Sequence, residues 1–432
     1  MGSLNYSIPP DAKSMNVKIQ PSNLSFVTAT YTPPITATTA FQDIPFVTQN
    51  IIFDIPCGQS PSTFMDNRFT CLNFQLTVAC TNLNGGSGGT FSDAYLRSGA
   101  YSFFDRMYIT NQAGSILEDI SEWGLTNDLL CGLMMNNSTR HGVATQYGFD
   151  TNYTQVASQG HAINCLSSGI AASSYTTNLS ETHTYSIPLL SGVVGCLADK
   201  FLNIGRTSKL QLVLQTSQLL PISGGVNAAF TTSAPTFSFT LSNMSLQCKY
   251  VDIGINALQL LDSTLVDGKT YIHGTTYRTS SATIPAATSG TQTLLAGIRG
   301  SSVKSLFCRF AQGGTLVTGT TITGAASHGK YDSFNPMISS INYNVGGVRY
   351  PQMPINPLLS PSQSFTETQQ AIGSFNNAQF QSSIPPSAYC RLSAGGTASG
   401  TGVTSTKGQT LEFNQVLQID KLSSFLDPIW KS

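Results

Sequence analysis

The most constraining feature of this chain is a strict alternation between Phe69 and Cys80. Leu72, Phe74, Leu76, Val78 and Cys80 fall on one face, and Asn73, Gln75 and Thr77 fall on the other. A period of two is the repeat of a pleated strand with one side against a core; no helix gathers those residues on one side. The pattern returns in Leu210, Leu212 and Leu214 of KLQLVLQ, and in Phe237, Phe239 and Leu241 of the stretch 236–251. There the apolar set steps by one to Met244, Leu246, Cys248 and Tyr250, so a bulge or bend is expected near Asn243. NIIFDI at 50–55 and HTYSIPLL at 183–190 read as further strands.

The stretch 98–135 combines a hairpin and a helix. Met107 and Ile109 alternate with Tyr108 and Thr110, Asn111 to Gly114 forms the turn, and Ser115 to Ile120 returns. Leu129, Leu130, Leu133 and Met134 then cluster at helical spacing. Asp119 with Glu122 reads as a capping box for that helix, so Glu118, Asp119 and Glu122 are taken as caps rather than as acid–base catalysts. Trp123 is expected to be a packing anchor.

After Val251 the order restarts. Strands are expected over Leu294 to Arg299 and Val303 to Phe310, followed by a Gly/Thr-rich loop. A strand from Ile338 to Asn344 then turns at Val345-Gly346-Gly347 and returns from Val348. Ser364 with Glu367 matches a second capping box, opening a helix that stops at Gly373, and Leu411 to Ile419 supplies a late strand. The repeated order, strand, Gly-rich loop, hairpin, capped helix, implies two copies of one β-sandwich plan in tandem. The expected boundaries are an extended, Pro-rich N-terminal arm over 1–45, a first sandwich over 46–250, and a second over 251–432 with a C-terminal tail. Truncating 1–45 is expected to spare the folded unit and weaken assembly.

Charge and cysteine narrow the function. Only 10% of residues are charged, with Lys+Arg and Asp+Glu both at 21, so no net field steers the chain to nucleic acid or anionic lipid. Lys13 and Lys18 are the only basic residues of the arm, too few for a nucleic-acid-binding arm. The nine cysteines contain no C-x-x-C pair and read as free thiols of a reducing compartment. No signal peptide or membrane span is evident, so synthesis in the cytosol is expected. Asn-x-Ser/Thr triplets such as Asn243-Met244-Ser245 are then chance matches. Met1-Gly2-Ser3 lacks the Ser or Thr that myristoylation wants where Tyr6 stands.

Chemical motifs fail on context. Gly85-Gly86-Ser87-Gly88-Gly89 matches a nucleophile elbow only in letters, with no helix after it. Gly324 to Lys330 resembles a phosphate loop, but Tyr331 occupies the place of the magnesium-binding hydroxyl. His141, His161, His183, His273 and His328 are far apart. No catalytic residue, cofactor or metal is assigned.

Four phrases carry a family resemblance: SGAYSFFDRMYITNQAGSILEDI with its helix, HTYSIPLLSGVVGCLADKFLNIG leading into KLQLVLQ, IRGSSVKSLFCRF, and INYNVGGVRYPQMPI. In that order the chain resembles the double jelly-roll major capsid proteins of icosahedral DNA viruses, of the polinton-like virus and virophage type. The resemblance implies an all-β fold of two tandem jelly-roll sandwiches with short helices in connecting loops, and a structural role without enzymatic activity. It implies a homotrimer with a roughly hexagonal outline, tiling an icosahedral shell beside neighbouring capsomers, penton proteins and minor capsid proteins, with no sequence-specific nucleic-acid binding. An internal membrane stays open. Terminal arms would tie neighbours together, which makes Pro33, Pro34, Phe425, Ile429 and Trp430 the candidate assembly contacts. The alternative is a carbohydrate-binding or adhesin-like β-sandwich that uses loops 136–182 and 312–337 as its surface.

Overall fold

A computed structural model describes residues 12–32, 40–41, 46–81, 94–96, 98–148, 162–163, 179–198, 201–225, 236–265, 274–284, 290–298, 302–310, 339–356, 361–371 and 414–418. The chain divides into two units. The first comprises Met1–Ala94, Ala100–Thr126 and Ala162–Thr279; the second comprises Tyr95–Gly99, Asn127–His161 and Ser280–Ser432.

In chain order the strands are β1 (Lys13–Ile19), β2 (Phe26–Tyr31), β3 (Ala40–Phe41), β4 (Asn50–Ile55), β5 (Thr63–Thr81), β6 (Ala94–Leu96), β7 (Phe104–Asn111), β8 (Ile116–Ile120), β9 (Ala162–Ile163), β10 (Leu179–Pro188), β11 (Leu210–Thr216), β12 (Ile222–Gly225) and β13 (Thr236–Asp252). They continue as β14 (Ser305–Arg309), β15 (Ile341–Val345), β16 (Val348–Ile355) and β17 (Asn414–Gln418). The helices are α1 (Trp123–Met134), α2 (Asn137–Gly142), α3 (Ala144–Tyr147), α4 (Gly254–Ser263) and α5 (Pro361–Ala371).

Two antiparallel sheets make the body of the first unit. One runs β1-β13-β5-β10 with β2 also on β13, and the other runs β4-β11-β7-β8. β1 pairs along Leu246–Asp252 and β2 along Phe237–Ser242, so the two lie end to end on one flank of β13 and fill a single position. With the eight positions counted in chain order, the sheets read 1-8-3-6 and 2-7-4-5. Those are the interlocked Greek keys of a jelly roll.

The alternating residues fill the space between the sheets. Leu72, Leu76 and Val78 of β5 have no exposed surface, nor do Leu212 and Leu214 of β11. Phe74 meets Phe104 edge to face at 5.4 Å and Phe103 at 6.0 Å. Trp123 is fully buried, 6.2 Å from the Phe104 ring, and its Nε1 donates to Leu190 O at 2.9 Å, so it is the anchor its sequence position suggests.

The bulge near Asn243 is present. The register of β13 against β5 shifts between Ser242 and Ser245, and Asn243 has φ 50°. The 104–120 hairpin also forms as expected: Asn111 Oδ1 accepts from the backbone N–H of Ala113 and Ser115, and Gly114 takes φ 77°.

The first 45 residues differ from the expected arm, since β1 and β2 belong to the jelly roll. Among the described side chains of these strands only Val27, Ala29 and Ile19 are buried, and Pro21 breaks the run, so the sequence shows little periodicity. Between the two strands the chain crosses to the other sheet. Ser22 N donates to Ile52 O at 2.8 Å, Asn23 Nδ2 to Asn50 O at 2.6 Å, and Ile52 N to Asn23 Oδ1 at 2.9 Å.

The first unit also runs past the expected boundary at 250/251. Arg206 forms two bonds with Asp262 of α4, Gly274 bridges to Ala198, and the hydroxyls of Ser121 and Thr279 lie 2.6 Å apart. A Cβ on Gly274 would sit 2.0 Å from Gly192 O, so this return requires glycine.

In the second unit, β14 pairs with β17, and β15 pairs with β16 through a turn with Gly346 at φ 59° and Gly347 at φ 86°. Residues 294–298, expected as a strand, lie outside any helix or strand and are exposed. The helix expected from Ser364 starts earlier, at Pro361, which suits a first-turn position because proline lacks an N–H there. Ser364 is therefore inside α5, buried, with its carbonyl accepting the Thr368 hydroxyl at 3.0 Å, and it is not a cap.

Candidate functional site

Within the tight acidic group at 118–122, Glu118 and Asp119 have different environments. Glu118 and Asp119 belong to β8 rather than to the first turn of α1, which begins at Trp123. Glu118 is 4% exposed and crosses to the loop after β10, where it accepts from Ser191 Oγ at 2.5 Å and from Gly192 N at 2.9 Å. Ser191 Oγ in turn accepts from the N–H groups of Val193 and Val194. Asp119 accepts two bonds from Arg106, and this ion pair helps raise the Arg106 pKa. The capping-box reading is thus corrected: a carboxylate on a strand reaches a neighbouring strand or loop more readily than the helix that follows it. Glu118 and Ser191 act as a clamp that holds a loop by its backbone amides, with no imidazole between them.

In the second unit Asp128 plays a comparable part. It accepts from the Ser98 hydroxyl and from Arg309 Nη1, the latter at 2.5 Å, so it joins α1 to β14. The side chains of Arg309 and Asp128 are only 10% and 19% exposed, where an ion pair is held in place by its surroundings.

Thiols of both units are pushed up by burial, Cys248 to about 12 and Cys308 to about 11, which favours the protonated form at neutral pH. Cys57, Cys71, Cys131, Cys196, Cys248 and Cys308 are free. Among the described residues no group of three His, Cys, Asp or Glu side chains could hold a metal, and no helix is long and apolar enough to cross a membrane.

The outward face of the β1-β13-β5-β10 sheet is the most distinctive surface of the first unit. Register places Thr28, Thr240, Thr77 and Thr182 in one row across four strands. Within it the hydroxyls of Thr28 and Thr240 lie 3.0 Å apart, as do those of Thr77 and Thr182. The flanking rows through Ser238 and Ser242 carry no ionised side chain either. At the β13 bulge this face dips into a cleft of about 290 Å³ lined by Lys18, Asn73, Gln75, Thr184 and Asn243, where Asn243 Nδ2 donates to Gln75 Oε1 at 2.5 Å. Hydroxyls and amides without charge can hydrogen-bond a partner while costing little desolvation, unlike ionised groups.

Pro33, Pro34, Phe425, Ile429 and Trp430 all lie outside the described residues, as do Gly85–Gly89, Gly324–Lys330 and His161, His273 and His328. His183 is in β10 and His141 in α2. Of the loop 136–182, residues 137–147 contribute the short helices α2 and α3. The threonine face was missed in the sequence because it consists of the polar half of the same alternation that announces the core. Its signal was the lack of Lys or Glu at those positions.

No protein-family description matches the chain, and no curated protein matches it. Among solved structures, it is similar to a chain of the Sputnik virophage determined by cryo-EM, at 12% identity and TM-score 0.27, over 50% of this chain and 47% of that one. It is similar to the Faustovirus major capsid protein at 10% identity and TM-score 0.29, over 61% and 58%. A chain of the Sulfolobus turreted icosahedral virus gives 13% identity and TM-score 0.23, over 55% and 48%. The similarity thus spans about half the length of the virophage and Sulfolobus virus chains. By the strand order of its own first unit, the chain carries a jelly roll.

Proposed function

We propose that the chain is a structural major capsid protein whose two halves are both jelly rolls, and that three copies form a capsomer of roughly hexagonal outline that tiles a virion shell. The observation that carries this reading is the 1-8-3-6 and 2-7-4-5 strand order of the first unit. It is supported by the charge-poor composition and by the three adjoining rows of the outward sheet face, through Ser238, Thr240 and Ser242, that hold no ionised group, since interface cores are depleted of charge. The order of sequence phrases in the second half supports a second copy of the plan. Penton and minor capsid proteins are the further partners this role requires, and the terminal segments containing Pro33, Pro34, Phe425, Ile429 and Trp430 remain the proposed ties between neighbours.

Light scattering and negative-stain imaging of the purified protein test the reading. Trimers that associate into hexagonal rings or shells are the expected result, and a persistent monomer at high concentration would refute it. A second reading, a carbohydrate-binding β-sandwich, is favoured by one observation, the cleft at the β13 bulge, which is lined by side-chain amides and hydroxyls together with Lys18. Saturable glycan binding lost in Gln75→Ala, by a protein that stays monomeric, would select it instead.

A further inference from the structure

The sheets of the first unit have exposed flanks, and most of them are blunted. β1 carries Lys13 and Lys18, β4 is capped along its flank by Ser22 and Asn23, β8 is short and carries Glu118 and Asp119, and β10 ends at Pro188. These are the ordinary means of stopping a sheet from pairing with another chain. β2 has none of them. Its sequence, FVTATY within SFVTATYT, holds no charge and no proline, and its hydrogen bonds among the described residues run only to β13. Phe26 is 60% exposed, and Thr28 and Thr30 are exposed as well.

We infer that the free flank of β2 is a docking edge for β2 of a second copy of this chain, paired antiparallel about a two-fold axis through Ala29. The occupant follows from the strand itself. In that register Thr28 of one copy stands opposite Thr30 of the other, and Ala29 stands opposite its counterpart. Outward positions meet outward positions, as an antiparallel ladder requires. The hydroxyl row Thr28, Thr240, Thr77 and Thr182 would continue across the axis, and cross-strand threonine pairs are favourable. Without charge, the edge has nothing to select an ionised partner, whereas a two-fold contact needs only that one patch complement itself. Strand addition also places every newly covered backbone group in a hydrogen bond. The inference stands apart from shell assembly, because a two-fold strand pairing is a different contact from the one that relates three copies within a capsomer.

Full-length Thr28→Cys and Thr30→Cys proteins, mixed and oxidised, test the register. Directly opposed positions lie about 5 Å apart between Cα atoms, within disulfide reach, whereas Thr28 and its own counterpart lie roughly 8 Å apart. A dimer containing the 28–30 cross-linked peptide is expected from the mixture, but not from either protein alone or from the wild type. Separately, Thr28→Lys/Thr30→Lys should weaken self-association at least tenfold by sedimentation with an unchanged melting temperature. Equal cross-linking in the single-variant samples, or self-association unaltered by the lysines, would overturn the inference. If the lysine variant unfolds, the cysteine mixture still decides, since cysteine is close to threonine in size. Rings that fail to form while the 28–30 cross-link persists would refute the capsomer and leave this edge standing.

Discussion

Glu118 and Asp119 are adjacent on β8, yet their surroundings give them different weight. Removing the buried Glu118 carboxylate strands the Ser191 hydroxyl and the Gly192 N–H, so Glu118→Ala should cost about 3 kcal/mol, read from denaturant unfolding. Asp119→Ala removes a half-exposed partner of Arg106 and should cost no more than about 1 kcal/mol in the same experiment. Asp252 supplies a pH dependence. The Ser62 hydroxyl at 2.5 Å and then the Gly254 N–H hold its carboxyl below the usual range. A carboxyl held low is more ionised when folded, so its stabilisation is present above the unfolded value and is lost as pH falls through the folded one. Thermal melts should therefore decline below about pH 4, and the decline should be shallower in Asp252→Asn.

At the scale of elements, the bulge in β13 depends on one residue type. Asn243 at φ 50° is in a region that asparagine enters readily and β-branched residues avoid. Asn243→Val should destabilise by about 2 kcal/mol, and Asn243→Gly should stay within about 1 kcal/mol. Chemical denaturation of both variants checks the pair. This bulge was legible in the sequence because the apolar set of β13 shifts phase while both of its halves stay buried. β4, β5, β11 and the β7–β8 hairpin were legible for the same reason: one face meets a core, and the alternation records it. The two capping boxes misled because Asp or Ser followed by Glu three residues later also occurs where a strand ends or inside a helix, and only the partner tells them apart. Glu118 found Ser191, 73 residues away, and no local pattern contains that information. The assembly contacts proposed at Pro33, Pro34, Phe425, Ile429 and Trp430 rest on sequence position, whereas the threonine face and the β2 edge depend on which strands become neighbours.

For the whole molecule, the N-terminal strands are structural members of the first jelly roll. A chain beginning at residue 32 would leave one flank of β13 bare from Phe237 to Asp252 and remove the crossing at Ser22 and Asn23. It should be largely insoluble, or melt about 10 °C or more below the full chain by differential scanning fluorimetry. The earlier expectation that the first 45 residues could be removed without loss of the fold is therefore replaced by its opposite.

The pairing of Lys13 with Asp252 sets a timetable for a chain emerging from the ribosome. β13 lies between β5 and the N-terminal strands, so neither can complete its ladder until residues 236–252 have been made. Closing a contact of such sequence separation is slow. Throughout that interval the uncharged edge of β2 is exposed on both sides, among many nascent copies of itself.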